Sequence, residues 1–159
     1  MITSIAKIII TITVLSLAPI TFASSEDDAI AFVNKAGLGR NLSKIALRVA
    51  TNTQTYRIMV ADLGKSEASI LVGKHLQKSV GNHQKEWNKN LANSYLEFFS
   101  GVELNSIISE KSDSPYFSKF RNKQKDVGGR MQEKSNKLLQ KIVAEALKNA
   151  FTESTTSNK

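Results

Sequence analysis

The sequence predicts an all-α protein, a compact bundle of about six or seven helices. Three observations carry that expectation. Trp87, Leu91, Tyr95 and Phe98 recur at i, i+4, i+8 and i+11, one face of a helix that ends at Phe99. Ser100-Gly101-Val102-Glu103 then reads as a capping box. Ser100 accepts from the backbone N–H of Glu103, and the Glu103 carboxylate reaches back to the N–H of Ser100. Finally, Met131, Leu138, Leu139, Ile142, Val143, Ala146, Leu147 and Phe151 form one long apolar stripe.

The first 23 residues read as an export signal. Lys7 supplies the positive charge, Ile8 to Ala18 the apolar run, and Pro19 breaks it. Thr21-Phe22-Ala23 then offers a small residue for cleavage before Ser24. The alternative is an uncleaved anchor, but the run is shorter than the roughly 18 to 20 residues that span a bilayer. With no cysteine there is neither an acylated N-terminus nor a disulfide framework, which suits a bacterial periplasm. The expected organisation is a signal over 1–23, one helical domain over 24–151 and a polar tail over 152–159. That tail carries no apolar residue and is expected to be disordered.

Along the mature chain, Ser24-Ser25-Glu26-Asp27-Asp28 places cap residues and acids where a helix dipole is positive. Ala29, Ile30, Phe32, Val33 and Ala36 carry that helix to a stop at Gly37. A second helix starts at Asn41, with Leu42, Ile45, Ala46, Val49 and Ala50 as its apolar stripe. Thr51-Asn52-Thr53 interrupts it. Tyr56, Met59, Val60 and Leu63 then repeat at helical spacing up to Gly64. Thr55 to Val60 is rich in strand-favouring residues, yet no neighbouring segment alternates well enough to pair with it. Ile70, Leu71, His75, Leu76 and Val80 mark another helix, ended by Gly81-Asn82.

Ser114 at an N-cap and Pro115 at the first helical position open a short aromatic helix with Tyr116, Phe117 and Phe120. Gly128-Gly129 leaves two possibilities. Paired glycines cost about 2 kcal/mol inside a helix relative to alanine. Either the chain breaks there, or close packing against a neighbour offsets the cost.

From about Leu42 to Phe151 the chain resembles exported bacterial proteins of the family catalogued as domain of unknown function 2059. The residues concerned are Trp87-Asn88, Leu91-Ala92, Tyr95, the Phe99-Ser100 to Glu103-Leu104 turn, Ser114-Pro115 and the long helix after Gly128. Tyr116-Phe117 stand where a small, glycine-containing turn is common in that family. The resemblance implies a compact helical bundle behind a signal peptide, and no activity.

Chemical motifs are sparse. His75 and His83 are the sole histidines, and no H-E-x-x-H or cysteine pair accompanies them, so neither metal nor cofactor is expected. No G-x-S-x-G pattern marks a serine nucleophile. Glu86, Glu97, Glu103 and Glu110 fall in one region, but a glycosidase pair needs a cleft and a raised-pKa acid.

Charge says more. The chain carries +8, or +7 without Lys7. Lys119, Arg121, Lys123 and Lys125 crowd one stretch, and Lys134, Lys137, Lys141 and Lys148 lie near one face of the last helix. These eight are candidate partner-binding residues, the alternative being a solvated face opposite Leu138, Ile142 and Leu147. An acidic protein is the expected partner, with anionic lipid or wall polymer as the alternative. Export removes nucleic acid from consideration. The expected function is a non-enzymatic periplasmic interaction protein, in its sharper form an immunity protein or inhibitor against an envelope-directed toxin or wall hydrolase. A lipid- or wall-associated accessory factor is the second expectation, and an unrecognised hydrolase the third.

Overall fold

The computed structural model describes residues 22–157. Its α-helices are α1 (Phe22–Lys35), α2 (Leu42–Thr51), α3 (Gln54–Leu63), α4 (Lys65–Leu96), α5 (Gly101–Glu110) and α6 (Phe117–Ser157). Short 3-10 turns lie at Leu38–Asn41 and Lys111–Asp113. Among the described residues there is no strand, and the fold is all-α. Residues 1–21, most of the expected export signal, lie outside the described residues, as do 158 and 159.

The frame is an antiparallel pair of long helices, α4 of 32 residues and α6 of 41. At 1.5 Å per residue they extend about 48 and 60 Å. Their register is marked by cross-contacts in which numbers rise on α4 and fall on α6: His75 with Glu153, His83 with Glu145, Asn90 with Ser135, and Glu97 with Arg130.

Two apolar cores sit along this pair. One packs α2 and α3 onto α4 and the later part of α6 around Leu42, Met59, Val72 and Ile142, all almost fully buried. The other packs α1 and α5 against the far end of α4 around Phe32, Tyr95, Phe99 and Leu104. Phe120 of α6 closes it, with ring centroids 5.9 Å from Phe32 and 6.0 Å from Tyr95. Leu91 packs against both cores and joins them.

Local chemistry accounts for most helix ends. Gly37, at φ 65°, stops α1 in a left-handed conformation that favours glycine. Thr53 Oγ1 accepts from the N–H of Tyr56 and starts α3, and Gly64 at φ 82° separates α3 from α4. The capping box at α5 is complete: Glu103 accepts from the Ser100 N–H at 2.8 Å, and Ser100 Oγ accepts from the Glu103 N–H at 3.3 Å. Ser114 Oγ accepts from the Tyr116 N–H at 3.2 Å, although regular α-helix begins only at Phe117.

Several expectations are corrected. Helix α1 already includes Phe22, the first described residue, so Ser24-Ser25 lie within the helix and are not its cap. Gly81-Asn82 do not end a helix. They sit exposed in the middle of α4, between the buried Val80 and Trp87 that hold it on both sides. Helix α4 stops at Leu96, ahead of the Phe99 end expected for it. Ile70 is 71% exposed and does not belong to the apolar stripe. At Gly128-Gly129 neither possibility holds, because α6 runs through unbroken and a Cβ at either position would meet nothing within 4 Å. Flanking burial of Val127 and Met131 sustains the helix there.

The tail expected to be disordered is helical as far as Ser157. Its polar side chains work locally and across the bundle. Thr152 Oγ1 donates to the Lys148 carbonyl at 3.0 Å, Ser154 is buried, and Glu153 is held by Lys74 and His75 of α4.

Candidate functional site

The eight basic residues singled out by the sequence do not form one patch. Lys119 Nζ lies 2.7 Å from Glu103 Oε1 and 4.8 Å from the Phe99 ring centroid, tying α6 to the α5 cap. Lys123 pairs with Asp126 at 2.7 Å and covers Phe98. Lys134 reaches Glu97 at 2.9 Å, and Lys141 stands 4.0 Å from Glu145. Much of the expected interaction surface is therefore neutralised within the fold.

Arg121, Lys125, Lys137 and Lys148 remain exposed, with no ion-pair partner among the described residues. They divide by helical position. Lys137 and Lys148 lie away from the buried stripe of α6, whereas Arg121, Lys125, Gly128 and Gln132 follow i, i+4, i+7 and i+11 along another face.

The two histidines share one continuous helix and meet carboxylates at matching spacing on α6. His75 Nε2 lies 2.8 Å from Glu153, and His83 Nε2 lies 3.1 Å from Glu145. Hydrogen bonding from Lys74, then from His75, holds the Glu153 carboxyl below the usual carboxylate range. His83 does the same for Glu145, with Ser79 adding to it. Ser79 Oγ is directed at Glu145 and the Ile142 carbonyl, each at 3.1 Å, and so is not hydrogen-bonded to a histidine base. Among the described residues, no three His, Cys, Asp or Glu side chains converge on a position suited to a metal ion.

The acids of the central region are dispersed as well. Glu86 lies 3.8 Å from His83, Glu97 is bound by Lys134 and Arg130, Glu103 completes the cap, and Glu110 accepts from Ser106. The carboxyls of Glu97 and Glu103 are held below their usual range. A general acid for glycoside cleavage needs the opposite shift.

A different feature stands out in the tertiary structure. Between α6 and the start of α2 with its preceding turn, a groove of about 650 Å³ opens. Trp87, Leu91 and Tyr95 of α4 form its floor, Leu38, Ile45 and Val49 one wall, and Met131 and Leu139 the other. Its polar lining is uncharged apart from Arg48, and no carboxylate lines it. Tyr95 donates to Gln124 Oε1 at 3.1 Å, and Asn90 of α4 donates to Ser135 Oγ at 3.1 Å. Burial raises the Tyr95 hydroxyl above its ordinary pKa, so it stays a donor at neutral pH. Trp87 is 5% exposed and its Nε1 has no hydrogen-bond partner. A buried donor left so costs about 1 to 3 kcal/mol.

The spacing of Trp87 and Tyr95 places them on one helix face and does not reveal the groove. One signal was present. Gln124, Gly128, Gln132 and Asn136 recur every fourth residue, an uncharged polar stripe on an otherwise highly charged helix. All four line the groove.

No protein-family model, curated protein or solved structure matches this chain.

Proposed function

We propose that this chain is a non-enzymatic interaction protein of the bacterial periplasm, exported with cleavage after Ala23, whose folded surface binds an acidic protein. The observation that supports this reading is the contrast on α6. Lys119, Lys123 and Lys134 are neutralised by close carboxylates, while Lys137 and Lys148 stand exposed without one among the described residues. Exposed charges of one sign steer association with a complementary surface, and they act mainly on its rate. The sharper form is an immunity protein or inhibitor that occludes an envelope-directed toxin or wall hydrolase. A second reading, an accessory factor that holds lipid or wall material, is favoured by the groove over Trp87.

Replacing Lys137 and Lys148 together with glutamate inverts the field while sparing Leu138, Ile142 and Leu147. Helicity is unaffected, since lysine and glutamate have similar propensities. The wild-type protein, purified from periplasm, is expected to retain one acidic protein in stoichiometric amount. The double variant should associate with it at least tenfold more slowly at low salt, the difference shrinking as salt screens the charges. Equal association rates at all salt concentrations would return these lysines to a solvated face. Recovery of lipid or peptidoglycan fragments in place of a protein would support the second reading.

A further inference from the structure

We propose that the groove between α2 and α6 binds a free single-chain aliphatic carboxylate, its hydrocarbon over Trp87, Leu91 and Met131 and its head group against Arg48. The groove's volume, about 650 Å³, lies within the range of small-molecule sites, and its apolar floor is bordered on α6 by the uncharged Gln124, Gln132, Ser135 and Asn136. Arg48 is the sole charged residue in the lining, and no carboxylate within it opposes an anion. Nor does Arg48 have an ion-pair partner among the described residues.

Neighbouring helix positions carry the same sign. Lys44 lies one turn before Arg48 on α2, and Arg121 and Lys125 precede Gly128 along the groove-facing stripe of α6. None of these three cations has an ion-pair partner among the described residues. An apolar floor with Arg48 as the one charged residue of the lining suits an amphipathic anion better than a cation or a neutral polymer.

Gly128 contributes space. It lines the groove, and a Cβ built on it meets nothing within 4 Å. A larger side chain there would occupy the volume assigned to the hydrocarbon, while relieving the glycine penalty inside a helix. Fold stability and ligand binding should therefore respond in opposite directions. The inference concerns the groove alone and does not depend on what meets Lys137 and Lys148.

Trp87 is the single tryptophan of the chain, so its fluorescence reports on the groove directly. Titration of the full mature chain with dodecanoate below its micellar concentration should give a saturable shift in Trp87 emission. Decanoate should bind about fourfold more weakly for each methylene removed, as expected when every added CH₂ is buried. Arg48→Gln should abolish the preference for dodecanoate over uncharged dodecyl maltoside. Gly128→Leu should weaken dodecanoate at least tenfold while raising the thermal midpoint, and the milder Gly128→Ala serves if the leucine variant does not fold. Lys137→Glu with Lys148→Glu should leave the titration unchanged, which separates this test from that of the protein partner. The proposal is overturned by an absent or non-saturable shift, or by a Gly128→Leu variant that binds as tightly as wild type. A shift seen with phosphatidylglycerol vesicles and not with monomeric dodecanoate would assign the groove to a membrane surface and also overturn it.

Discussion

Glu103 shows how much a single side chain does in this fold. It closes the cap at Ser100, accepting its N–H at 2.8 Å, and holds Lys119 of α6 at 2.7 Å. Burial is the largest single influence on its carboxyl and pushes the pKa up, yet Lys119 and the Ser100 groups together outweigh it and leave the value lowered. The anion is thus the form the fold requires. Ser100→Ala removes one half of the reciprocal pair and leaves Glu103 in place for Lys119. The expected loss is about 1 kcal/mol, typical of an N-cap, read from urea denaturation. No measurable loss would show that α5 is held by packing at Leu104 and Ile107 without help from its cap.

At the scale of the element, the last turns of α6 matter most. Thr152 to Ser157 contain no apolar residue, and isolated helices of such composition are marginal in water. They persist because Glu153 crosses to Lys74 and His75 and because Ser154 is buried against the bundle. A chain ending at Phe151 should therefore have a lower urea midpoint than the full chain and lose helical signal beyond that of the removed residues. Identical midpoints would mean that the terminal turns are held by nothing outside themselves. Gly128 and Gly129 show the same dominance of context over propensity, because buried neighbours on each side keep α6 intact through them.

Across the whole molecule, the ties between α6 and the rest of the bundle are largely carboxylate-based. Glu97, Glu103, Glu145 and Glu153 all have pKa values lowered from the ordinary 4.5. The leading favourable contacts are with Lys134, Lys119, His83 and Lys74 respectively. Unfolded chains take up protons at the ordinary value, whereas the folded protein resists until lower pH. The stabilisation is therefore fully present above the ordinary value and is lost as pH falls through the depressed ones. Thermal midpoints should decline on that acid side, and Glu145→Gln with Glu153→Gln should make the decline shallower. Glu97, Glu145 and Glu153 are each about a third or more exposed, so salt should weaken their share of the effect. An acid limb unchanged by the double substitution would place the pH dependence elsewhere.

Sequence alone determined the features that depend on neighbours a few residues apart. The capping box at Ser100, the polar interruption at Thr51-Asn52-Thr53, the stops at Gly37 and Gly64, and the apolar stripe from Leu138 to Leu147 are local in this sense. They suffice for an all-α fold. Tertiary structure decided what depends on residues far apart in the chain. Whether Gly81-Asn82 and Gly128-Gly129 break their helices turns on burial along the α4–α6 pair, because propensity differences of about 1 kcal/mol per glycine are small beside packing. Whether a lysine is free to meet a partner depends on which carboxylate faces it, and Lys119 and Lys134 differ from Lys137 on that ground alone. The groove belongs to the same class. Trp87 and Tyr95 share one helix face by their spacing, and they are buried, but the groove that α2 and α6 form with α4 beside them is a property of three helices at once.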